Sequence, residues 1–374
     1  MTDAVEKRDI PLVNLKAQYR SMSSEIDQAV KTVIYETAFV RGKYVESFER
    51  AYAGEYGVKH CISVANGTDA IYISLKMLGI GPGDEVITVA NSWISTSETI
   101  TQTGARPVFV DIDPDYYHID ASKIEEKITP RTKAIVPVHL YGQSCEIVKI
   151  KNICEKHNLF LVEDCAQAHF AEHNGQRVGT FGNAGTFSFY PGKNLGAYGD
   201  AGAIITNDDD LAQKLRMYAN HGAITKHDHL IEGINSRMDG LQAAILTAKL
   251  PHIYEWNRKR YEHALAFNKL LADVKDIAIP QVRENGIHIF HIYAIRSERR
   301  DELQKFLQGR GINTGIHYPV ALPYMTAYKY LGHSPDDFPV AYTYQKQILS
   351  LPMYPELTTD DIDFIVKAIK DFFG

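Results

Sequence analysis

The chain has 374 residues, enough for one large and one smaller domain, each with its own core. Charged residues make up 23% and apolar residues 45%, and a net charge of −6 does not suggest a general nucleic-acid or anionic-membrane surface. The four cysteines, Cys61, Cys145, Cys154 and Cys165, lack C-x-x-C spacing, and Cys61 and Cys165 lie in apolar strand-like runs that suit buried free thiols.

The opening MTDAVEKRDI has no apolar core behind a basic start, so no signal peptide is expected. No uncharged apolar run approaches the roughly 18–20 residues of a membrane span. A cytoplasmic enzyme is the expectation. Residues 11–58 read as mainly helical, with a break at Phe39-Val40-Arg41-Gly42-Lys43. Then the pattern changes. Cys61-Ile62-Ser63-Val64 runs into Asn66-Gly67-Thr68-Asp69, and residues 70–78 follow at helical spacing. Gly67 lets the backbone come close, and the free N–H groups of a new helix make a natural phosphate site. The same four residues also suit a plain turn and N-cap.

Strands are expected over 85–89, 107–111, 133–140 and 159–162, and helices over 96–104, 121–128 and 147–157. This alternation implies βαβ units and a mostly parallel sheet, in which ligands bind beyond the carboxyl ends of the strands. The turns holding Gly67, Trp93 and Asp164 all fall at such ends. Trp93 could stack on a flat aromatic ligand or cap the core. In Phe160-Leu161-Val162-Glu163-Asp164-Cys165-Ala166-Gln167-Ala168-His169, three apolar residues run straight into two carboxylates. A carboxylate there needs a cation or hydrogen bonds to stay ionised. Asp164 could serve a protonated pyridine nitrogen, or cap the next turn; Gln167 and His169 could reach the same ligand.

Thr186-Phe187-Ser188-Phe189-Tyr190-Pro191-Gly192-Lys193 opens as a strand, with Phe187 and Phe189 on one face, and is turned by Pro191 and Gly192. Lys193 sits just past that turn among small, aromatic and glycine residues. Desolvation there lowers an amine's pKa, as Schiff-base chemistry near neutral pH requires. A strand over 203–206 and a helix over 211–219 follow. Residues 221–234 read as an exposed loop bearing His221, His227 and His229, without a metal spacing. A long helix is expected from 241 to about 271, then a C-terminal α+β alternation: strand 288–295, helix 301–309, strand 312–318 and helix 360–373. The expected division is a large α/β domain over 1–250, with an N-terminal helical arm, and a small α+β domain over 251–374.

The Asn66-Gly67-Thr68-Asp69 turn, the Glu163…His169 strand end and the Ser188…Lys193 turn come in an order that resembles the fold-type-I pyridoxal-phosphate enzymes. More closely, they resemble the DegT/DnrJ/EryC1/StrS family of nucleotide-sugar aminotransferases, from Pro11-Leu12-Val13-Asn14-Leu15 to Leu351-Pro352. The resemblance implies pyridoxal 5′-phosphate as cofactor, with Lys193 as its Schiff-base lysine and later acid/base, and Asp164 on the pyridine nitrogen. It implies Gln167 on the phenolic oxygen, Trp93 stacked on the ring, and Gly67, Thr68 and Ser188 around the phosphate. Asn235, in Asn235-Ser236-Arg237, matches a residue that the family supplies from the neighbouring subunit, which implies a homodimer with shared sites. His169, His317 and Tyr318 are candidate substrate contacts.

The implied reaction moves an amino group from L-glutamate to a keto carbon of a dTDP- or UDP-linked sugar, in amino-sugar biosynthesis for a glycan such as lipopolysaccharide. The Tyr190…Asp200 wording resembles the members acting on 3-keto sugars more than those acting on 4-keto sugars. Relatives acting as dehydratases carry His at the lysine position, and a non-catalytic sensor would have eroded Lys193, Asp164 or Gln167. Neither holds here. A dinucleotide-binding alternative lacks G-x-G-x-x-G after the first strand. One departure stands out: after Ile316-His317-Tyr318-Pro319 the chain reads Val320-Ala321-Leu322-Pro323, where many relatives carry a further His.

Overall fold

A computed structural model describes residues 7–225 and 227–374. The first six residues, which open the segment considered as a leader, and Lys226 in the 221–234 loop lie outside the described residues. The N-terminal arm forms α1 (Leu15–Ser21), α2 (Ser23–Tyr35) and α3 (Lys43–Tyr56). Asn14 starts α1 by accepting the Ala17 N–H at 3.0 Å, and Gly57, in the left-handed region, ends α3.

Next come β1 (His60–Val64), α4 (Gly67–Met77), β2 (Glu85–Val89), α5 (Ser95–Gln102), β3 (Arg106–Val110), β4 (Thr132–Val136), α6 (Ile147–His157) and β5 (Phe160–Asp164). The short pair β6 (Glu172–His173) and β7 (Gln176–Arg177) precedes β8 (Ala184–Ser188), β9 (Gly202–Thr206) and α7 (Asp209–Tyr218). The main sheet has seven strands in the order β1-β9-β8-β5-β4-β2-β3, and β9 alone runs against the rest. Parallel strands with crossover helices bury both faces of the sheet. β2 is buried at all five positions. Consequently the turns after β1, β2, β5 and β8 open on one edge, where the strands end.

On β8 the period of two decides the faces. Phe187 and Phe189, both fully buried, pack with Phe48, Tyr52 and Tyr56 of α3, while Ser188 faces the other way. Each buried ring contributes about 1.5–3 kcal/mol. All four cysteines are buried and free.

The remaining elements are α8 (Gly240–Lys249), α9 (Ile253–Leu271), β10 (Gly286–Ile287), β11 (Tyr293–Arg296), α10 (Arg300–Gly309), α11 (Pro339–Tyr344), β12 (Ile348–Leu351) and α12 (Thr359–Phe373). β11 pairs antiparallel with β12, and α9, α10 and α12 close a core around them that also takes in Ile10 of the arm.

Several sequence expectations change. The helix over 121–128 is two 3-10 turns, Ala121–Lys123 and Glu125–Lys127, because the Asp120 carboxylate holds the Ser122 N–H in a tight local turn. The helix from 241 to 271 is interrupted by a 3-10 turn at Leu250–His252, where Pro251 lacks the N–H that a continuous helix needs. The strand expected over 288–295 is confined to Tyr293–Arg296, and its partner β12 went unassigned in the sequence. Residues 312–318 form no strand: they make only isolated bridges, Ile312 to Ile10 and Gly315 to Ser350.

Candidate active site

A cavity of about 450 Å³ opens where the parallel strands end. Its lining includes Gly67, Thr68, Trp93, Asp164, Gln167, Ser188, Lys193, His317 and Tyr318. These come from the turns after β1, β2, β5 and β8 and from the irregular 312–318 segment. A second cavity of about 220 Å³ lies against it, lined by Leu12, Val13, His291, Leu351 and Met353. Both cavities share Gln167, Tyr190, Lys193, His317 and Tyr318, so Lys193 stands on the wall between them.

At one end of the larger cavity the chain folds into an anion cradle. Asn66 caps α4: its side chain accepts the Asp69 N–H at 2.8 Å and its carbonyl accepts that of Ala70. The first helical N–H groups, those of Gly67 and Thr68, have no acceptor within the helix and lie at the cavity both residues line. A Cβ at Gly67 would meet the Ser188 Cβ at 2.6 Å, so only glycine lets the start of α4 approach the end of β8 this closely. The Thr68 hydroxyl is 2.7 Å from that of Ser95.

Asp164 ends β5 in a buried position. Its carboxylate accepts from the Thr96 hydroxyl at 2.8 Å and from the Ala166 N–H at 3.1 Å. Burial raises its pKa, against the two hydrogen bonds and the charge of Lys193. Lys193 is half-buried at the turn. Among the described residues its ammonium has no hydrogen-bond partner; burial pushes its pKa down to about 8, and Asp164 pulls it up. An amine at that value is largely available as a nucleophile in mildly alkaline water.

Gln167 is oriented at both ends. Its Oε1 accepts the Tyr141 N–H at 2.7 Å, which leaves Nε2 to donate to the Tyr318 hydroxyl at 3.0 Å. Trp93 is 58% exposed, with its ring centroid 5.7 Å from that of Tyr318. His317 bonds the Ser350 hydroxyl at 2.8 Å through Nδ1, and burial brings its pKa down to about 4. It stands in the cavity as a neutral ring.

One residue expected at the site lies elsewhere. His169 does not line either cavity: it is fully buried behind β8, where the Tyr52 hydroxyl donates to Nδ1 and Nε2–H donates to the Ser188 carbonyl, both at 2.9 Å. Its pKa is pushed down to about 3 by burial, so it is a neutral core side chain that holds the end of β8 rather than a substrate contact. Asn235, which the resemblance gives to the neighbouring subunit's site, is exposed and outside both cavities of its own chain, while its neighbour Ser236 donates to Asp69 of α4 at 2.6 Å. Of the two carboxylates that end β5, only Asp164 faces the cavity. Glu163 is buried, accepting from the N–H groups of Gly179, Phe181 and Gly182 and from His139, so it fixes a loop. His139, Glu163 and Cys165 come within 4.8 Å of one another, but the Glu163 oxygens are already spoken for by these donors.

Thr96, Ser95, Tyr141 and His291 went unnoticed in the sequence. A Ser/Thr-rich helix start directly after a strand end was the available signal for the first two.

The chain matches the profile of the DegT/DnrJ/EryC1/StrS aminotransferase family over residues 20–370. It belongs to that family. A protein of Geobacillus stearothermophilus named a pleiotropic regulatory protein is 44% identical, across 98% of this chain and 99% of its own. The dTDP-3-amino-3,6-dideoxy-alpha-D-galactopyranose transaminase of Aneurinibacillus thermoaerophilus is 42% identical, across 97% and 99%. The crystal structure of Streptomyces venezuelae DesV in complex with a ketimine intermediate superposes with a TM-score of 0.96 at 38% identity, covering 98% of each chain. The architecture is thus that of a fold-type-I transferase, and the chain is an aminotransferase that uses pyridoxal phosphate. The site fits that cofactor: a glycine-dependent cradle for a phosphate, a carboxylate for a pyridinium, and a lysine of lowered pKa within one cavity.

Proposed function

We propose that this DegT/DnrJ/EryC1/StrS family member transfers an amino group from L-glutamate to the C3 keto group of a nucleotide-linked hexose, as a homodimer. The observation that carries the reading is Lys193, an amine of lowered pKa on the wall shared by two cavities, with Asp164 in the larger one. Bound pyridoxal phosphate supplies the electron sink on which amino groups are exchanged. Gly67, Thr68 and Ser188 would hold its phosphate, Asp164 its ring nitrogen, Gln167 its phenolic oxygen and Trp93 its face. Lys193 moves the proton to and from the carbon that gains or loses nitrogen. His317 and Tyr318, on both cavity walls, would meet the sugar.

The C3 position takes its support from relatives named as 3-amino transaminases or aminotransferases, among them the Aneurinibacillus enzyme. The dimer is supported by apolar side chains left in water: Ile34 and Tyr35 end α2, Phe39 and Val40 follow it, and Val40 bridges to Asp239 close to Asn235. No helix of the described residues is long and apolar enough to cross a membrane. A regulatory reading draws only on relatives' names, the Geobacillus protein and a Saccharopolyspora erythraea protein named for sensory transduction, and Lys193, Asp164 and Gln167 stand intact against a non-catalytic role.

The test is to incubate purified protein with pyridoxal phosphate, L-glutamate and, separately, a dTDP-linked 3-keto and 4-keto 6-deoxyhexose. Formation of 2-oxoglutarate with an aminated 3-keto sugar is expected. Amination of the 4-keto sugar alone would overturn the C3 assignment, and failure on every sugar would overturn a dTDP-linked 6-deoxyhexose as the substrate.

A further inference from the structure

Lys249 is the second lysine that the fold takes out of water, and the chemistry above does not use it. It closes α8 and is fully buried. Burial pushes its amine down to about 7, and Glu356 acts the other way. Nζ donates to the Gly196 carbonyl at 2.7 Å and to the Gln18 side-chain oxygen at 3.0 Å, and lies 4.1 Å from the centre of the Tyr198 ring. An ammonium has three N–H donors and no acceptor, and here it meets two oxygens and one π face, all electron-rich. These partners favour the charged form, against the burial that lowers its pKa.

What those partners belong to gives the arrangement its meaning. Gly196 closes the turn that carries Lys193: the Lys193 N–H bonds the Tyr190 carbonyl, the Ala197 N–H bonds the Phe189 carbonyl, and a Cβ at Gly196 would run into the Pro191 carbonyl. On its other side the turn is held by Asn194, which bonds Asn257 and the Ile289 carbonyl. Gln18 is the buried residue of α1, the helix that follows the arm residues Leu12 and Val13, which line the smaller cavity next to Lys193. A single side chain therefore touches both the Lys193 turn and the arm that walls the same cavity.

We propose that Lys249 is a positioning residue, a buried ammonium that clamps the Lys193 turn and the N-terminal arm against α8 and so fixes two walls of the cavity around the Lys193 amine. The proposal rests on Lys193 being the working amine, but its first readout needs neither cofactor nor sugar. Lys249→Met keeps an unbranched side chain, one heavy atom shorter, and removes all three donors. Gln18→Met breaks the arm contact alone.

In hydrogen–deuterium exchange on the cofactor-free protein, Lys249→Met is expected to speed exchange roughly tenfold at both 15–21 and 190–198, leaving 132–136 unchanged. Gln18→Met is expected to speed it at 15–21 only. After loading with pyridoxal phosphate, the pH midpoint of the visible band should move by roughly half a unit or more in Lys249→Met and stay put in Gln18→Met. Unchanged exchange at both segments, or a uniform rise that includes 132–136, would overturn the clamp. If Lys249→Met does not fold, Gln18→Met decides: faster exchange at 15–21 with 190–198 still protected supports it, and no change at 15–21 overturns it.

Discussion

Gly67→Ala is the sharpest probe of the phosphate cradle. The added Cβ would stand 2.6 Å from the Ser188 Cβ, so the start of α4 and the end of β8 must part by about 1 Å to reach ordinary carbon–carbon contact. Neither side yields easily. Ser188 is held through its carbonyl by buried His169, and the α4 start is tied by Asn66 to Asp69 and by Ser236 to Asp69. Overpacking of this kind costs about 1–3 kcal/mol. If the cost falls on closing the cradle around a phosphate, pyridoxal phosphate affinity drops between about 5-fold and about 150-fold. The assay is a fluorescence titration of the cofactor-free protein, with pyridoxal, which lacks the phosphate, as the control. Pyridoxal should bind the variant about as well as the wild type. Equal losses for both ligands, or none for either, would refute the assignment of Gly67 and Ser188 to the phosphate.

Other predictions concern Lys193 and the buried histidines. Purified protein loaded with pyridoxal phosphate should be yellow, and borohydride should bleach it and leave a pyridoxyl group on Lys193; Lys193→Ala should lose that adduct in peptide mass spectrometry. Covalent capture of the cofactor should accelerate with pH around a midpoint near 8, because the free amine attacks. Asp164→Asn removes the charge that raises this value, so the midpoint should move lower in stopped-flow absorbance; an upward shift would contradict the pairing. His169→Phe strands the Tyr52 hydroxyl and the Ser188 carbonyl in the core and should destabilise the protein by about 2–4 kcal/mol in urea unfolding, with less than about 1 kcal/mol speaking against the network. His169 and His288, each held down at about 3, and His317, at about 4, stay neutral when folded but take up protons near 6.5 when unfolded. The stability these three contribute is thus fully present above pH 6.5 and should be lost as pH drops from there toward 3, read as a falling urea midpoint; a flat profile would count against neutral burial.

Much of the fold was legible in the chain because each strand end announced itself. Apolar runs broke into Asn66-Gly67, Asn91-Ser92, Glu163-Asp164 and Pro191-Gly192, and a parallel sheet brings such breaks to one edge. What misled was chemistry without direction. His169 is two residues past Gln167, yet the turn after β5 sends one side chain to the cavity and the other behind β8. Likewise Glu163 and Asp164 are adjacent on a strand and so must face opposite ways. Pro251 was visible as a helix breaker but sat inside a strongly periodic run. The link from Thr96 to Asp164 and the clamp of Lys249 on Gly196 join residues far apart in the chain, which local pattern cannot reach. The 312–318 segment alternates like a strand but finds only single bridging partners.

The smaller cavity has a consequence for biogenesis. Its lining runs from Leu12 and Val13 to Leu351 and Met353, so nearly the whole polypeptide must be in place before the pocket beside Lys193 has walls. Contacts so distant along the chain carry a large loop-closure cost and form late. A nascent chain on the ribosome can complete β8 and expose Lys193 well before residues 317 to 353 emerge. The amine is then made early, and its enclosure comes with the final stretch of synthesis.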